Sequence, residues 1–238
     1  MLFRSDGTVS DIPHSRNASR INFINKNLGY NNTDKTTNLA EYITPYENIF
    51  MKIDIEGHEY SLFASILANK LIHKIKQLVI EVHTPADIRM HPNYYNGLAA
   101  FGNDYVLFQL FAELNKTHTI LHMHGNNGCA RHTIEGITIP NVFEITLVRN
   151  DILDNINYTW PVSNNIIPSP LDMPNVPHNP EIVINYPPFC YRYNTLKTRT
   201  NNEEKTDNSV TVITCYYKVK SKHSFKDYAI WRSEEHTS

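Results

Sequence analysis

Glycine, cysteine and long apolar runs are scarce in this sequence, and each scarcity excludes a class of protein. Of 238 residues, 8 are glycine and 3 are cysteine. The cysteines (Cys129, Cys190 and Cys215) lie far apart and form no Cys-x-x-Cys pair, which excludes a zinc ribbon and predicts reduced thiols. No apolar run approaches the roughly 20 residues that a membrane-spanning helix needs. We therefore expect neither a disulfide-bonded protein nor one that associates with a membrane.

A strong charge of either sign is also lacking. The formal net charge is −2 and the isoelectric point is near 6.6, so there is no sign of the basic face that binds nucleic acids or anionic membranes. Met1–Asp11 contains charged residues and glycine instead of the apolar segment of a secretory signal, which predicts a cytoplasmic location. Hydrophobic residues make up 41% of the chain, enough for an ordinary buried core.

The hydrophobic pattern predicts an α/β domain. Apolar residues run or alternate in the segments expected to be strands and recur every three or four positions in those expected to be helices. In chain order we predict strand 21–24, a short helix 39–42, strand 49–55, helix 60–71, strand 77–83, helix 104–115 with Asp104 as its N-cap, strand 118–124 and strand 142–149. Strands joined by a helix should be parallel, and the last two should pair antiparallel.

The most informative chemical pattern is the string KIDIEGHE at Lys52–Glu59. It ends a predicted parallel strand, and the carboxyl ends of such strands form the crevice where α/β folds bind ligands. Gly57 allows a tight turn, and Glu59 would lie in the first turn of the helix, where the helix dipole favours an anion. Asp54 could accept hydrogen bonds from a cofactor or from a substrate amine. A helix cap with solvated acids would give the same spacing.

The two strands that follow also deliver polar residues to this edge of the sheet. Glu81 and His83 are two positions apart and share one face of their strand, as do His122 and His124. His83 would serve as a general base for a hydroxyl, because its ordinary pKa lies near neutrality. A histidine bound to a backbone carbonyl is the alternative. Acids and histidines together could also ligate a metal, although no four-residue set has zinc-like spacing.

These residues carry a resemblance to a family. Residues 51–59 resemble the K-x-D-x-E-G-x-E block of FkbM-like methyltransferases, and residues 81–83 are similar to the next strand of that family. Residues 122–127 and 139–146 resemble a later pair of strands in its eukaryotic and viral-type members. Residues 171–175 resemble the C-terminal wrap of those members.

The resemblance extends over about residues 20–190 and implies methyl transfer from S-adenosylmethionine to oxygen of a small-molecule or glycan acceptor that carries a hydroxyl. With the strand-end pattern, it predicts cofactor-binding and catalytic residues and no bound metal. We assign Asp54, Glu56 and Gly57 to cofactor binding and Glu81, His83 and His124 to catalysis.

Two features of such a domain are missing upstream of Asp54: the Gly-rich loop after the first strand, and the acid after the second strand that holds the ribose. Gly7 and Gly29 form no G-x-G turn, and residues 1–20 are polar, irregular and too few for two strands and two helices. For residues 1–150 we therefore predict the C-terminal half of a Rossmann-like class I methyltransferase sheet, with the N-terminal strands missing. This chain alone should then bind S-adenosylmethionine poorly.

The remaining residues change in character. Eight prolines between positions 161 and 188 predict an extended wrap and a Pro/Asn-rich linker over 151–208. Val210–Tyr217 reads as a new strand, and 210–231 resembles the opening of HtrL/YibB-like proteins, which look like glycosyltransferases. We predict that 209–231 is the truncated start of a second domain and that 232–238, which looks like translated sequencing adapter, is a non-native tail.

Two other functions stay open at this point. One is a metal-dependent glycosyl- or phospho-transferring enzyme in which Asp54, Glu56 and the histidines hold a divalent ion. The other is a non-catalytic Rossmann-like interaction module.

Overall fold

The computed structural model describes residues 2–8, 21–134, 136–156, 168, 172–184 and 211–216. The elements up to residue 90 are β1 (Leu2–Ser5), β2 (Ile21–Ile24), β3 (Asn27–Leu28), β4 (Thr36–Thr37), α1 (Ala40–Ile43), β5 (Ile49–Asp54), α2 (Glu59–Ala68), β6 (Ile75–His83) and α3 (Pro85–Met90). The later elements are α4 (Asp104–Leu114), β7 (His118–Gly125), β8 (Arg131–Ile134), β9 (Ile137–Pro140), β10 (Val142–Arg149), α5 (Asn150–Asn155) and β11 (Thr211–Tyr216). Each strand and helix predicted between positions 21 and 149 is confirmed within a few residues.

Seven of these strands form one mixed sheet in the order β2-β1-β11-β5-β6-β10-β7. The first five strands in this order, β2, β1, β11, β5 and β6, are parallel to one another, and β10 is antiparallel to both of its neighbours, β6 and β7. The predicted parallel pairing of β5 with β6 and the antiparallel pairing of β7 with β10 are therefore confirmed. The fold is mixed α/β. The last two strands of its sheet, β10 and β7, are antiparallel to each other.

The two faces of the central strands differ in chemistry because their sequences alternate. In β5, Ile49, Met51 and Ile53 are completely buried, whereas Phe50, Lys52 and Asp54 are only partly buried. The buried side chains share one hydrophobic core with the apolar residues of α2, namely Leu62, Phe63 and Ile66. Burying this face supplies most of the driving force for folding. The opposite face is free to carry polar residues.

The N-terminal side of the sheet differs from the prediction. Residues 2–5 form a strand although residues 1–20 were expected to be irregular, because Phe3 is buried and its ring packs 5.8 Å from the ring of Tyr42. The strand 211–216, expected to open a second domain, instead lies between β1 and β5 and pairs with both. Three strands thus flank β5 where strands were expected to be missing. The other domain limits stay predictions, since 157–167, 185–210 and 217–238 lie outside the described residues.

Three local features also differ from the expectations. The N-cap of α4 is Asn103, whose side chain accepts a hydrogen bond from the Tyr105 amide at 2.9 Å, and Asp104 is the first helical residue. Helix α3 follows β6 at once, with Thr84 as its N-cap and Pro85 at its first position, an arrangement typical of helix starts. Strands β8 and β9, which lie between β7 and β10 in the chain, form a separate antiparallel pair that the hydrophobic pattern did not reveal.

Residues 172–184, which we call the strap, lie against β7 and the loop that follows it. The Asn127 side chain accepts a hydrogen bond from the Val176 amide at 2.8 Å and donates to the carbonyls of Val176 and Asn179. Ile182 and Ile184 are buried. The extended wrap that was predicted over 151–208 stays a prediction. Helix α5 lies at the start of the predicted linker, where no helix was expected. No helix in the described ranges has both the length and the apolarity required to cross a bilayer.

Candidate active site

The turn from β5 into α2 is built around one buried carboxylate. Glu56 and Gly57 both have positive φ angles, 54° and 88°, so the chain turns sharply. The turn points the amides of Gly57 and Ile55 at Glu59 Oε1, which accepts from them at 3.1 and 3.4 Å. Glu59 is almost completely buried, and its other oxygen, Oε2, has no partner among the described residues. The first turn of α2 therefore binds an anion that the chain itself supplies.

Gly57 contributes to this turn and not to an open binding surface. A Cβ atom at this position would lie 3.0 Å from atoms of both Tyr95 and Leu98. Its amide is already bound to Glu59. The cofactor-binding role that was expected for Gly57 therefore lacks both free space and a free donor.

His83 lies between two carboxylates, and with Glu56 and Glu59 it forms what we call the turn cluster. Its Nδ1 is 3.1 Å from Glu59 Oε1 and its Nε2 is 3.2 Å from Glu56 Oε2. Burial by itself would lower the pKa of His83, but Glu59, Glu56 and, more weakly, Glu81 outweigh that effect and hold the pKa well above its usual value. A ring that stays protonated has no lone pair to accept a proton. The geometry thus argues against the general-base role expected for His83.

Asp54 and Glu81 form a second acidic pair on the polar face of the sheet. They follow Ile53 and Ile80, which are partners in the β5–β6 ladder. Burial and the neighbouring Glu81 carboxyl, which is also within hydrogen-bonding reach, raise the pKa of Asp54 well above its usual range. Asp54, which we assigned to the cofactor, is thus brought together with Glu81, which we assigned to catalysis.

Two further polar residues continue this row across the sheet. Glu144 is the partner of Glu81 on one side and of His124 on the other. His124 is buried, and its Nε2 lies 3.2 Å from Glu181 of the strap. Asn175 of the strap donates to Glu144 at 3.3 Å. Asp54, Glu81 and His124 therefore lie in one row across four adjacent strands, in which Glu144 is a member that the sequence did not single out, while His83 belongs to the turn cluster.

Two tyrosines that the sequence analysis missed close the other side of the crevice. The Tyr94 hydroxyl donates to Glu56 Oε2 at 3.0 Å, and the Tyr95 hydroxyl donates to the buried Asp87 of α3. The two rings meet edge to face, with centroids 4.8 Å apart. They come from an irregular segment between α3 and α4, where no periodicity distinguishes a site residue from a surface one. The paired aromatics in YY are the one available signal.

An open cleft of about 410 Å³ lies between the loop 127–131 and the strap residues 179–182, and none of these acids lines it. Cys129 is exposed at its rim. Partial burial of the thiol, followed by the charges of Asp87 and Glu81, raises the pKa of Cys129 to about 11. The thiol is therefore protonated at neutral pH and is a poor nucleophile.

The described part of the chain contains no group of three or more His, Cys, Asp or Glu side chains arranged to hold a metal ion. Comparison of the chain with family models, with curated proteins and with solved structures gave no match. The chemistry of this crevice is therefore the basis for assigning a function.

Proposed function

We propose that this protein is an S-adenosylmethionine-dependent methyltransferase that methylates an oxygen of a sugar or another small hydroxyl-bearing molecule. The observation that carries the proposal is the row of carboxyl groups at the carboxyl ends of β5 and β6, in a sheet that ends in two antiparallel strands. Such strand ends are the usual ligand site of open α/β sheets. The resemblance of residues 51–59 to the FkbM-like block supports the same assignment.

The donor set fits the proposed cofactor. S-adenosylmethionine carries positive charge on its sulfonium and its amino group. The crevice offers Glu56, Glu81 and Glu144 on its polar side, with Lys52 as the cation on the same face of β5. Glu56 would accept a hydrogen bond from the amino group through Oε1, because Tyr94 and His83 hold Oε2 and fix the orientation of the carboxylate. When bound, the cofactor supplies the methyl group.

The chain's own residues then bind the acceptor and take its proton. Asp54 and Glu81 hold carboxyl groups on the polar face of the sheet, and each residue as a whole keeps some solvent exposure. A carboxyl group whose pKa is raised by burial and by a neighbouring acid, as that of Asp54 is, is more typical of a functional site than of a purely structural one. This favours an enzyme over a non-catalytic module.

The metal-dependent alternative has less support. It required Asp54, Glu56 and the histidines to converge on one ion. Instead, both ring nitrogens of His83 face carboxylates, and His124 faces Glu181 of the strap.

The test is a titration of the 238-residue chain with S-adenosylmethionine, in which heteronuclear NMR spectra report the binding. We expect weak binding, with a dissociation constant in the roughly 0.1–1 mM range, because neither a Gly-rich loop nor a free ribose acid contributes. ATP, which joins the same adenosine to an anionic tail, should not bind. Glu56→Gln should weaken binding about tenfold. The matched control is Glu113→Gln on the exposed surface of α4, which should have no effect.

Three results would contradict the proposal: no binding at several millimolar cofactor, equal binding of ATP, or equal loss of binding in the Glu113→Gln control.

A further inference from the structure

The side-chain amide of Asn126, in the loop after β7, has a fixed orientation. The Gly128 amide donates to Asn126 Oδ1 at 2.9 Å, so this atom must be the oxygen. The nitrogen, Nδ2, consequently faces Glu81 and donates to its Oε1 at 2.9 Å. A donor that cannot turn over favours the ionised form of the carboxyl group it contacts.

The loop that carries Asn126 is held from outside by the strap. Asn127 binds the strap backbone at Val176 and Asn179, and Asn179 Nδ2 donates back to the Asn127 carbonyl at 2.9 Å. A Cβ on Gly128 would lie 2.8 Å from Val176 Cγ2, so loop and strap are in close contact. The position of the Asn126 amide is therefore built into the fold and is not a chance of one side-chain rotamer.

The neighbouring carboxyl group, Asp54, receives no such donor from the loop. It is more deeply enclosed than a surface acid, and its carboxyl group is within hydrogen-bonding reach of Glu81. Two carboxyl groups in contact hold one proton between them near neutral pH, because both cannot ionise side by side. With Asn126 on Glu81, the proton belongs on Asp54. The charged or titratable groups that face the pair are Lys52 on β5, Glu56 at the turn, His83 on β6, Tyr94 after α3, Cys129 in the loop and Glu144 on β10.

We propose that Asn126 is a positioning residue that keeps Glu81 ionised and Asp54 protonated, so that Glu81 is the group that accepts the proton of the acceptor hydroxyl. In that step the O–H bond breaks, its electron pair stays on the acceptor oxygen, and the proton goes to Glu81. The pair then holds two protons and no charge. The role in methylation rests on the proposed function, whereas the placement of the shared proton does not.

The experiment is a carboxyl ¹³C NMR titration of the full chain labelled at Asp and Glu, in the absence of any cofactor. In the wild-type chain Glu81 should titrate at lower pH than Asp54. In Asn126→Ala the two titrations should move closer together, because Glu81 no longer receives the fixed donor. Asn103→Ala, which removes the amide that caps α4 far from the pair, is the matched control and should leave both titrations in place.

The wild-type measurement keeps the inference falsifiable even if Asn126→Ala does not fold. An Asp54 titration below that of Glu81 in the wild-type chain would overturn it, as would unchanged titrations in a folded Asn126→Ala. If the titrations agree but S-adenosylmethionine does not bind, the role of Asn126 stands and the proposed function fails. If the cofactor binds but the order of the two titrations is reversed, only the role of Asn126 fails.

Discussion

The turn cluster and the His122–Asp172 pair of the strap use the same two kinds of side chain in opposite surroundings. In the turn cluster, the His83 side chain is 5% exposed and Glu59 is 1% exposed, and both ring nitrogens meet carboxylates. At the strap, the His122 side chain is 36% exposed and meets Asp172 of the strap at 2.7 Å. His83 lies on β6 and His122 on β7, and both strands pair with β10. His83 has a carboxylate at each of its ring nitrogens, whereas the contact of His122 with Asp172 is made through Nε2.

Burial decides what such a pair can do. A buried ion pair costs a large desolvation energy, so removing one partner leaves a charge that nothing compensates. A pair at the surface loses little when one partner is removed, because water replaces it. We therefore expect the turn cluster to fix the shape of the crevice, and the His122–Asp172 contact of the strap to be local and separable.

The largest effect should come from His83→Gln. The amide cannot balance the buried charges of Glu59 and Glu56, so the free energy of unfolding should fall by about 3–5 kcal/mol. Urea unfolding followed by circular dichroism measures it. The matched control is His122→Gln, which makes the same change at the strap. A loss below about 1 kcal/mol for His83→Gln would mean that the two regions do not differ as proposed.

The second comparison replaces one glycine in each region by alanine. Gly57→Ala places a Cβ on a residue with a φ of 88° and within 3.0 Å of Tyr95 and Leu98, so we expect a loss of about 2–3 kcal/mol. In Gly128→Ala the Cβ meets the end of the Val176 side chain at 2.8 Å and Asn126 Oδ1 at 3.1 Å, and the Val176 side chain can move. Its loss should be about 1 kcal/mol. Equal losses by thermal unfolding would argue against a rigid turn.

The pH dependence of stability separates the two regions without a change in packing. Because the pKa of His83 is raised in the folded state, its contribution is complete below the unfolded value near 6.5 and is lost as pH rises through the folded value. Between pH 6.5 and 8 the free energy of unfolding should fall by at most about 2 kcal/mol. The lowered pKa values of His58 and His118 act only below this window.

Asp54, whose pKa is also raised, acts in the same direction from the unfolded carboxyl value near 3.9 upward, so a variant is needed to isolate His83. The slope between pH 6.5 and 8 should be smaller in His83→Gln than in the wild type. An identical slope in the wild type and in His83→Gln would show that His83 does not carry the effect.

The sequence predicted the elements around the crevice because their periodicity is local. Ile49, Met51 and Ile53 alternate with polar residues in β5, and Glu81 and His83 share a strand, so their convergence followed from topology alone. The partners of these side chains could not be predicted in the same way. The charge state of His83 depends on Glu56. The left-handed backbone of Glu56, with a φ of 54°, brings its carboxylate to 3.2 Å from His83 Nε2.

The pairing of strands that lie far apart in the chain was the other feature that could not be predicted from the sequence. Thr211–Tyr216 has the composition of a strand, but no local signal says that it lies between β1 and β5, some two hundred positions away in one case. Asn126 shows the same limit at the level of one residue. The string GNNG predicts a turn, while the direction of its amide depends on Gly128 and on Glu81 from another strand.

The smallest effect should be release of the strap in His122→Gln. The pair with Asp172 is partly exposed, so its loss should lower global stability by less than about 1 kcal/mol. Locally, the Val176 amide, which Asn127 holds at 2.8 Å, should exchange with solvent up to about fivefold faster, while amides of β6 keep their wild-type rates. Asn127→Ala removes that contact directly and should accelerate the same amide further. Native-state hydrogen exchange by NMR measures each rate. If β6 amides accelerate as much as Val176, the strap opens only with the whole fold, and the distinction between a fixed turn cluster and a separable strap fails.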